Sequence, residues 1–321
     1  MLRTKLGVAT AVCLVVASAL GPAGATQASA LTTACTILPR DNVWHSAASA
    51  LPVHRRSATY VRSIGASSHL HPDFGSGLIG GEPFGIPITV ARSSAPAVRI
   101  SFQYASESDR GPYRIPANAL VEGGSRSTGD RHVIVWDKAA CMAYELWDAH
   151  RHRDGSWTAG SGAILNLRSN ALRPAGWTSA DAAGLPILAG LVRYREVASG
   201  HIDHAIRMTV PRTDLAYLWP ARHFAAYGHN VSLSPMGLRL RLKSSVSLAG
   251  LPPQARVVAQ ALKTYGAIVA DNGSAWFISG MQSPNWNNDQ LNALKRFTGS
   301  DFQAVDESGL QISANSGRAR R

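Results

Sequence analysis

Short apolar runs separated by Gly and Pro occur throughout the chain, and they limit what it can fold into. The 321 residues include 29 Gly and 17 Pro. Between them, apolar and polar residues alternate in stretches such as Ala97–Ala105 and Gly200–Pro211. Alternation with a period of two is typical of a strand that buries one face. The sequence therefore predicts a mainly-β, single-domain protein, a jelly-roll-like β-sandwich with a few peripheral short helices.

Two hairpins and one amphipathic strand are predicted in more detail. Arg131–Ala149 has the pattern of a hairpin with its turn near residues 137–140. Asn272-Gly273 separates two apolar runs and predicts a second hairpin, since both residues accept a positive φ. In Gly237–Leu248, Leu residues alternate with cationic ones that include Arg239. We interpret this run as a half-buried strand with a cationic outer face.

The C-terminal third also contains two helix patterns. The first has Pro253 near its first turn and Gly266 just beyond its end, the positions that these two residues favour. The second has Asn288 as its expected N-cap and Gly299 as its stop. Both helices are expected at the periphery of the sandwich.

Residues 1–30 have the features of a secretory signal peptide. A positively charged start is followed by the apolar segment Leu6–Leu20 and by Ala28-Ser29-Ala30, a small-residue cleavage pattern. The apolar segment is too short for a comfortable membrane span, and no later run reaches about 18 apolar residues. We expect a secreted, extracellular protein with a β-sandwich domain over residues 31–310 and a disordered basic tail over 311–321.

The cysteines agree with an oxidising compartment. Of three in the chain, Cys13 falls in the expected signal peptide, which leaves Cys35 and Cys141. An even pair in a secreted protein predicts one disulfide, which would tie the N-terminal region to a strand in the middle of the chain. The alternative is two unpaired, buried thiols.

The charge balance favours anionic partners. Lys and Arg outnumber Asp and Glu by 32 to 20, and the formal net charge is +12. A basic secreted protein is attracted to acidic polysaccharides and wall polymers. The alternative is that Arg-rich usage follows a GC-rich genome. The basic residues are scattered and form no nucleic-acid-binding motif. We expect a polysaccharide partner, an anionic one included, no nucleic acid, no membrane span and a monomer.

Asp181 raises the question of whether it serves chemistry or only a helix start. Thr178-Ser179-Ala180-Asp181 matches the capping-box pattern, with Thr178 as N-cap and Asp181 three residues later. Gly184 would then end a single turn. A short turn on a loop is also where a binding site places polar groups, and Trp177 lies beside it. Both interpretations stay open.

Glu145 and Trp147 lie on one face of the predicted hairpin, whereas Asp148 lies on the other. Glycoside hydrolysis needs two carboxyl groups about 5–10 Å apart, and an aromatic ring beside an acid suits a sugar. The alternative is a surface Glu beside a packed Trp.

Three further side chains could take part in proton transfer or substrate binding. His204 lies on the apolar face of Gly200–Pro211, where it is either a satisfied core histidine or a tuned acid or base. Arg222 and His223 follow in a loop. Arg222 could hold a substrate carboxylate through a bidentate contact. The alternative is an ordinary pair of surface cations.

Patterns for other chemistries are weak. Paired histidines occur, but none has an evident third ligand or a known metal-binding spacing. No nucleophile elbow, dinucleotide fingerprint or phosphate-binding loop is present in the sequence. We expect no metal and no cofactor.

Several of these segments together resemble a family of secreted bacterial proteins of actinobacterial type whose function is unknown. The resemblance extends from Cys35 to about Asp306. It rests on the runs HPDFGSG, GDRHVIVWDKAACMAYELWDA, LRSNALRPAGWTSADAAGLPILAGLVRY, WPARH and DNGSAWFISG. It implies secretion and one domain, and it brings no activity, substrate or catalytic residue.

The sequence therefore leads to two hypotheses about function. The first is a secreted glycoside hydrolase or polysaccharide lyase. Its expected acid or base is Asp181 or Glu145 and its expected proton shuttle is His204 or His223. Substrate contacts are expected from Arg222, Trp147 and Trp177. The second is a non-catalytic extracellular protein that binds glycan or cell wall through the same aromatic residues. A third reading, a structural surface protein, places the Trp residues in the core.

Overall fold

The structure is a computed structural model that describes residues 35–92 and 94–320. The expected signal peptide lies outside these residues. The described chain consists mainly of strands with a few short helices, which confirms the mainly-β prediction. Within these residues, no helix is long and apolar enough to cross a membrane.

The strands are short and follow one another closely, as the frequent Gly and Pro predict. In chain order they are β1 (His71–Asp73), β2 (Leu78–Ile79), β3 (Glu82–Pro83), β4 (Ile88–Ala91), β5 (Ala97–Val98), β6 (Ile100–Phe102), β7 (Tyr113–Arg114), β8 (Val133–Asp137), β9 (Met142–Trp147), β10 (His150–Arg151), β11 (Trp157–Ala159), β12 (Ser161–Asn166), β13 (Ile206–Val210), β14 (Thr213–Tyr217), β15 (Ser234–Met236), β16 (Arg239–Leu242), β17 (Ala267–Asn272), β18 (Phe277–Ser279) and β19 (Phe302–Val305).

The helices are α1 (Ser57–Ile64), α2 (Ile187–Gly190), α3 (Tyr194–Ala198), α4 (Pro253–Thr264) and α5 (Asn288–Asn292). Single 3₁₀ turns cover Val43–His45, Ala105–Glu107, Ala293–Arg296, Gly299–Asp301 and Ser308–Leu310. Helix α4 begins at Pro253 and is followed by Gly266 at a φ of 72°, as the sequence predicts. The N-cap of α5 is Asn287, one residue before the predicted Asn288, and its side chain accepts a hydrogen bond from the backbone of Gln290.

Two larger sheets organise the fold. A mixed six-stranded sheet has the order β1-β18-β13-β17-β16-β19, and a four-stranded sheet has the order β12-β9-β8-β4. Smaller sheets are formed by β10-β11-β6, β14-β15, β2-β3 and β5-β7. Strands β8 and β9 form the antiparallel hairpin predicted for 131–149, with Val133 opposite Leu146 and Asp137 opposite Met142.

Apolar side chains cover both faces of the four-stranded sheet. Val133 and Val135 belong to a smaller core together with Trp157, whereas Ile134 between them belongs to the main core. Glu145 pairs with Ile134 across β8 and β9. Because side chains on one strand alternate between faces, Glu145 faces the main core. The hairpin therefore brings a carboxyl group into the interior.

The hairpin predicted at Asn272-Gly273 is wrong. Strands β17 and β18 flank this turn, but β13 lies between them, parallel to β17 and antiparallel to β18. The turn therefore crosses over a strand from another part of the chain. A local turn signal cannot register such an insertion.

The cationic outer face predicted for β16 is also wrong. Arg239 is 1% exposed, its Nη1 donates to Glu307 at 3.0 Å, and its Nη2 donates to the carbonyl of Val43 at 3.1 Å. Arg241 is buried as well and donates to backbone carbonyls of residues 48–51. The N-terminal segment and Glu307 cover this face, so the arginines bind partners inside the protein.

Both ends of the described chain are held in place. A disulfide joins Cys35 to Cys141, as predicted. The described part of the expected tail, residues 311–320, contacts the body of the protein: Arg318 pairs with Asn42, and Ala319 is buried. Backbone pairing and burial thus order a segment that charge alone led us to expect as disordered.

Candidate functional site

A cleft of about 340 Å³ opens beside the turn that carries Asp181. Its wall combines aromatic rings with carboxyl groups. The lining includes Tyr104, Glu107, Asp130, Trp147, Thr178, Asp181, His223 and Asp271. Of the residues that the sequence proposed, the cleft brings together Asp181, His223 and Trp147.

Arg207 of β13 holds the Asp181 carboxylate with both of its ends. Its Nε donates to Oδ2 at 2.9 Å and its Nη2 donates to Oδ1 at 2.8 Å. The third nitrogen, Nη1, donates to the hydroxyl of Ser279 at 2.7 Å. Both members of the pair are buried, at 1% and 4% exposure. Such a bidentate contact fixes the position of the Asp181 carboxylate at the edge of the cleft.

Asp271, near the end of β17, shares the same guanidinium. Its Oδ2 lies 3.3 Å from Nη2 of Arg207, so two carboxyl groups meet at one nitrogen. Burial and then the charge of Asp181 raise the pKa of Asp271 to about 7, although Arg207 opposes the shift. About a quarter of the Asp271 side chain is exposed. This carboxyl group can therefore hold a proton near neutral pH and still reach the cleft.

The capping box predicted at Thr178 is wrong. No helix forms over residues 178–184, and α2 begins only at Ile187. The backbone N–H of Asp181 donates to the hydroxyl of Ser179, which in turn donates to the carbonyl of Leu185 at 2.6 Å. The Asp181 side chain binds Arg207 instead of capping a helix. An arginine from a distant strand competes successfully for the carboxylate because it offers two charged donors.

Glu145 binds the backbone at the start of α2. It is completely buried, and its two oxygens accept the N–H groups of Ile187 and Leu188, each at 2.9 Å. Burial raises its pKa to about 7, and the Asp181 charge adds to this effect while the two N–H groups oppose it. Glu145 does not line the cleft. Its position at the start of α2 makes it a supporting residue.

His132 contacts the same segment from the β8 side. Its Nδ1 lies 2.6 Å from Oε2 of Glu122, and its Nε2 lies 3.2 Å from the carbonyl of Ala180. Burial alone lowers the pKa of His132, but the Glu122 carboxylate outweighs it and raises the pKa to about 9. A protonated ring donates from both nitrogens, so His132 ties the residue before Asp181 to Glu122.

Tyr104 and Trp147 form the aromatic wall of the cleft. Their ring centroids are 6.2 Å apart with an interplanar angle of 36°. Nε1 of Trp147 donates to Asp130 at 3.4 Å. A Cβ atom at Gly160 would lie 2.1 Å from the Trp147 ring, so glycine at this position leaves the ring its space. The wall offers apolar ring faces next to carboxyl groups.

His223 contacts the Asp181 turn at Ala182. Its Nδ1 is 2.9 Å from the carbonyl of Ala182, and its Nε2 is 3.6 Å from Oε2 of Glu107. Glu107 also accepts the backbone N–H of Thr178 at 3.2 Å. These contacts place an imidazole and a carboxylate together at the rim.

The other predicted residues lie away from the cleft lining. His204 is buried; its Nδ1 is 2.7 Å from the carbonyl of Ala205, and its Nε2 is 3.3 Å from Glu196. Burial, together with the charge of Arg193, lowers the pKa of His204. The structure therefore places this histidine inside the protein with both ring nitrogens in contact.

Arg222 and Trp177 also have structural contacts. Nε of Arg222 donates to the carbonyl of Arg173 at 2.7 Å, and its Nη2 donates to Asn315 at 2.8 Å. The half-buried ring of Trp177 faces the guanidinium of Arg173 at 5.6 Å. Arg222 thus joins the Asp181 loop to the C-terminal segment.

The sequence interpretation missed Arg207 and Asp271. In the sequence, Arg207 lies in the alternating run Gly200–Pro211, and Asp271 directly precedes the Asn272-Gly273 turn. The available signal was a single charged residue inside an apolar run in each case. A charge flanked by buried strand residues needs a partner of opposite sign. In the described chain, no group of three or more His, Cys, Asp or Glu side chains could hold a metal ion.

These features define a mainly-β, disulfide-linked protein with a cleft that combines carboxyl groups and aromatic rings. No family model, no curated protein and no solved structure matches the chain.

Proposed function

We propose that the protein is a secreted, polysaccharide-active enzyme, and specifically a glycoside hydrolase that works in the cleft beside Asp181. The observation that carries this proposal is the meeting of Asp181 and Asp271 on one guanidinium, next to the wall formed by Tyr104 and Trp147. Sugars pack their apolar faces on aromatic rings. Carboxyl groups supply the proton transfers that glycosidic bond cleavage requires.

Asp271 is the proposed general acid. Its raised pKa of about 7 leaves a large share of the group protonated near neutral pH, so it can give a proton to the leaving oxygen. Asp181 has a different role in this scheme. Both of its oxygens are bound to Arg207, and its charge helps to keep the proton on Asp271.

The second carboxyl group of the reaction is expected from Asp130 or Glu107. Both line the cleft, and both have exposed surface from which they can approach a sugar ring or a water molecule. Asp130 is held by Trp147 and Glu107 lies beside His223. Hydrolysis by two carboxyl groups needs one of them to be charged while the other carries the proton.

Hydrolysis fits the cleft better than β-elimination. A lyase needs a cation that neutralises the carboxylate of a uronic acid, and Arg222, the residue expected for that role, binds Arg173 and Asn315 instead. The cleft is lined by the carboxyl groups of Glu107, Asp130, Asp181 and Asp271. Arg207 pairs with Asp181 and Asp271 carries the proton in this scheme, so Glu107 and Asp130 are the groups that repel an anionic sugar. This favours a neutral glycan despite the basic charge of the whole chain.

Secretion is part of the proposal. It rests on the signal-peptide pattern of residues 1–30, on the disulfide, and on the resemblance to a secreted bacterial family. A jelly-roll-like sandwich and a monomeric state stay predictions, because the described strands are distributed over several sheets and only one chain is present.

The test is incubation of the purified secreted protein with plant, algal and bacterial glycans. We expect new reducing ends on a neutral glycan and no unsaturated product. The Asp271→Asn variant should lower kcat by about 10²-fold or more, the usual range for general acid catalysis. Asp289→Asn, an exposed acid on α5, is the matched control and should retain activity.

Two results would redirect the proposal. Unsaturated sugars without new saturated ends would favour a lyase. Binding of a glycan with no product across the panel, lost in Trp147→Ala and kept in Asp271→Asn, would favour the non-catalytic glycan-binding alternative. The absence of both product and binding across the panel would contradict both functions.

A further inference from the structure

A second cavity, of about 500 Å³, lies in another part of the described chain. It is bounded by the segment that follows Cys35, by the ends of β4 and β8, by α3 and by residues 281–285. None of its lining residues lines the cleft beside Asp181. We name it the Trp136 cavity after the ring in its wall.

The body of the Trp136 cavity is apolar. Ile37, Ile88, Trp136, Tyr194 and Met281 line it, and each of them is partly buried and packs against the main core. These side chains belong to separate elements of the fold, so the wall is preformed by the tertiary structure. A concave apolar wall with a few polar groups is the usual form of a small-molecule site, and such sites measure about 300–1,000 Å³.

The carboxylates at this cavity are already paired. Glu196 binds Arg193 and lies 3.3 Å from His204. Asp203 binds Arg40 and lies near His45. Their negative charge is therefore balanced within the protein, and it is not left to attract a cation.

Two lining cations have no such balance. Lys138 and Arg195 are exposed, and neither forms a salt bridge within the described residues. The ammonium of Lys138 lies 4.3 Å from the centroid of the Trp136 ring. Nε1 of Trp136 is buried and has no hydrogen-bond partner in the described chain. A buried donor without a partner is rare in proteins. The charged side chains that line the cavity carry a net positive charge.

We propose that the Trp136 cavity binds a small organic anion with an apolar body. The apolar wall accepts the body of the ligand, and Lys138 and Arg195 supply donors for its carboxylate or sulfonate. The apolar wall and the two exposed cations both favour this class of ligand. A neutral apolar molecule would gain nothing from the two cations, and a hydrophilic anion would leave the apolar wall uncovered.

The test is isothermal titration calorimetry of the full secreted chain with three probes: naphthalene sulfonate, octanesulfonate and the uncharged naphthalenemethanol. We expect saturable binding of at least one sulfonate, and about tenfold or more weaker binding of the uncharged probe. The two sulfonates separate an aromatic from an alkyl body. If neither sulfonate binds, the proposal is overturned.

Variants test the assigned contacts. Lys138→Gln combined with Arg195→Gln should weaken sulfonate binding by about tenfold or more, since both side chains are exposed and their loss leaves the fold intact. Arg151→Gln combined with Arg153→Gln, which replaces two exposed cations in and just after β10, is the charge-matched control and should bind as the unmodified protein does. Equal affinity of the double variant and the control, or equal binding of charged and uncharged naphthalene probes, would overturn the proposal. Glycan cleavage is assayed separately, so the two proposals fail independently.

Discussion

Replacement of Asp181 by Asn is the sharpest test of how the cleft is held together. The change removes one charge from a pair in which both partners are buried. Asn is close to Asp in size, so the packing of the turn is preserved. Its amide oxygen can accept one of the two hydrogen bonds from Arg207, but its NH₂ group faces the other guanidinium N–H as a second donor.

The expected loss follows from these contacts. Removing one partner of a buried ion pair costs about 3–5 kcal/mol, because the remaining charge is left in the interior. Arg207 retains Ser279 and the partly exposed Asp271, which reduces the cost. We therefore expect Asp181→Asn to lower the free energy of unfolding by about 3 kcal/mol, near the lower end of that range. This is a large share of the total stability of about 5–15 kcal/mol that proteins have.

The measurement is urea unfolding at pH 7 followed by tryptophan fluorescence, with Asp289→Asn as the exposed control. The midpoint should fall for Asp181→Asn and stay within error for the control, with an unchanged slope in both. A second readout is the pKa of Asp271, which should fall in the variant because the neighbouring negative charge is gone. A stability loss below about 1 kcal/mol, with the pKa of Asp271 unchanged, would refute the account of the pair.

Three further predictions concern stability. Burial raises the pKa of Glu145 from 4.5 to about 7, and that of Asp271 from 3.8 to about 7. Since the folded protein holds both protons more tightly than the unfolded chain, these groups stabilise the fold fully at low pH, and this stabilisation is lost as the pH rises through about 7. Stability should therefore fall between about pH 4 and pH 7 and level off above, by about 3 kcal/mol in total from Glu145 alone. Glu145→Gln should remove this part of the fall in urea unfolding and leave the part that is due to Asp271; a flat profile in the unmodified protein would contradict the prediction. Cys141→Ser opens a disulfide with a sequence separation of 106, and it should cost about 2–5 kcal/mol in the same assay, whereas a loss near zero would show that the bridge adds nothing to stability. Arg239→Met should lower the free energy of unfolding by about 3–5 kcal/mol, because it leaves the buried Glu307 without its partner. Adding Glu307→Leu removes that buried charge and should restore most of the lost stability. If the two losses simply add, the account of the pair is wrong.

Local patterns in the sequence predicted local structure correctly. The hairpin over 131–149 and the start and end of α4 depend on neighbouring residues, and both were found as expected. The disulfide followed from counting the cysteines outside the expected signal peptide. These features need no knowledge of which distant segments meet.

Predictions failed where a distant segment supplied a partner. Thr178 and Asp181 match a helix cap, but Arg207 of β13 takes the carboxylate. Arg239 alternates with Leu as an outward residue would, but Glu307 covers it. Asp271 stands out as a charge in an apolar run, but the run does not reveal its role, since its pKa depends on burial and on a second carboxylate from another loop. The alternation of residues along a strand does not reveal which distant charge each charged residue binds.

The position of β13 between β17 and β18 has a consequence for how the chain folds. The strands on either side of the Asn272-Gly273 turn do not pair with each other as a local hairpin, because β13 lies between them in the sheet. The six-stranded sheet forms only after segments far apart in the sequence have come together, and such long-range pairing slows folding. The same step brings Arg207 to Asp181 and Asp271, so the cleft should take shape late, together with the centre of the sheet.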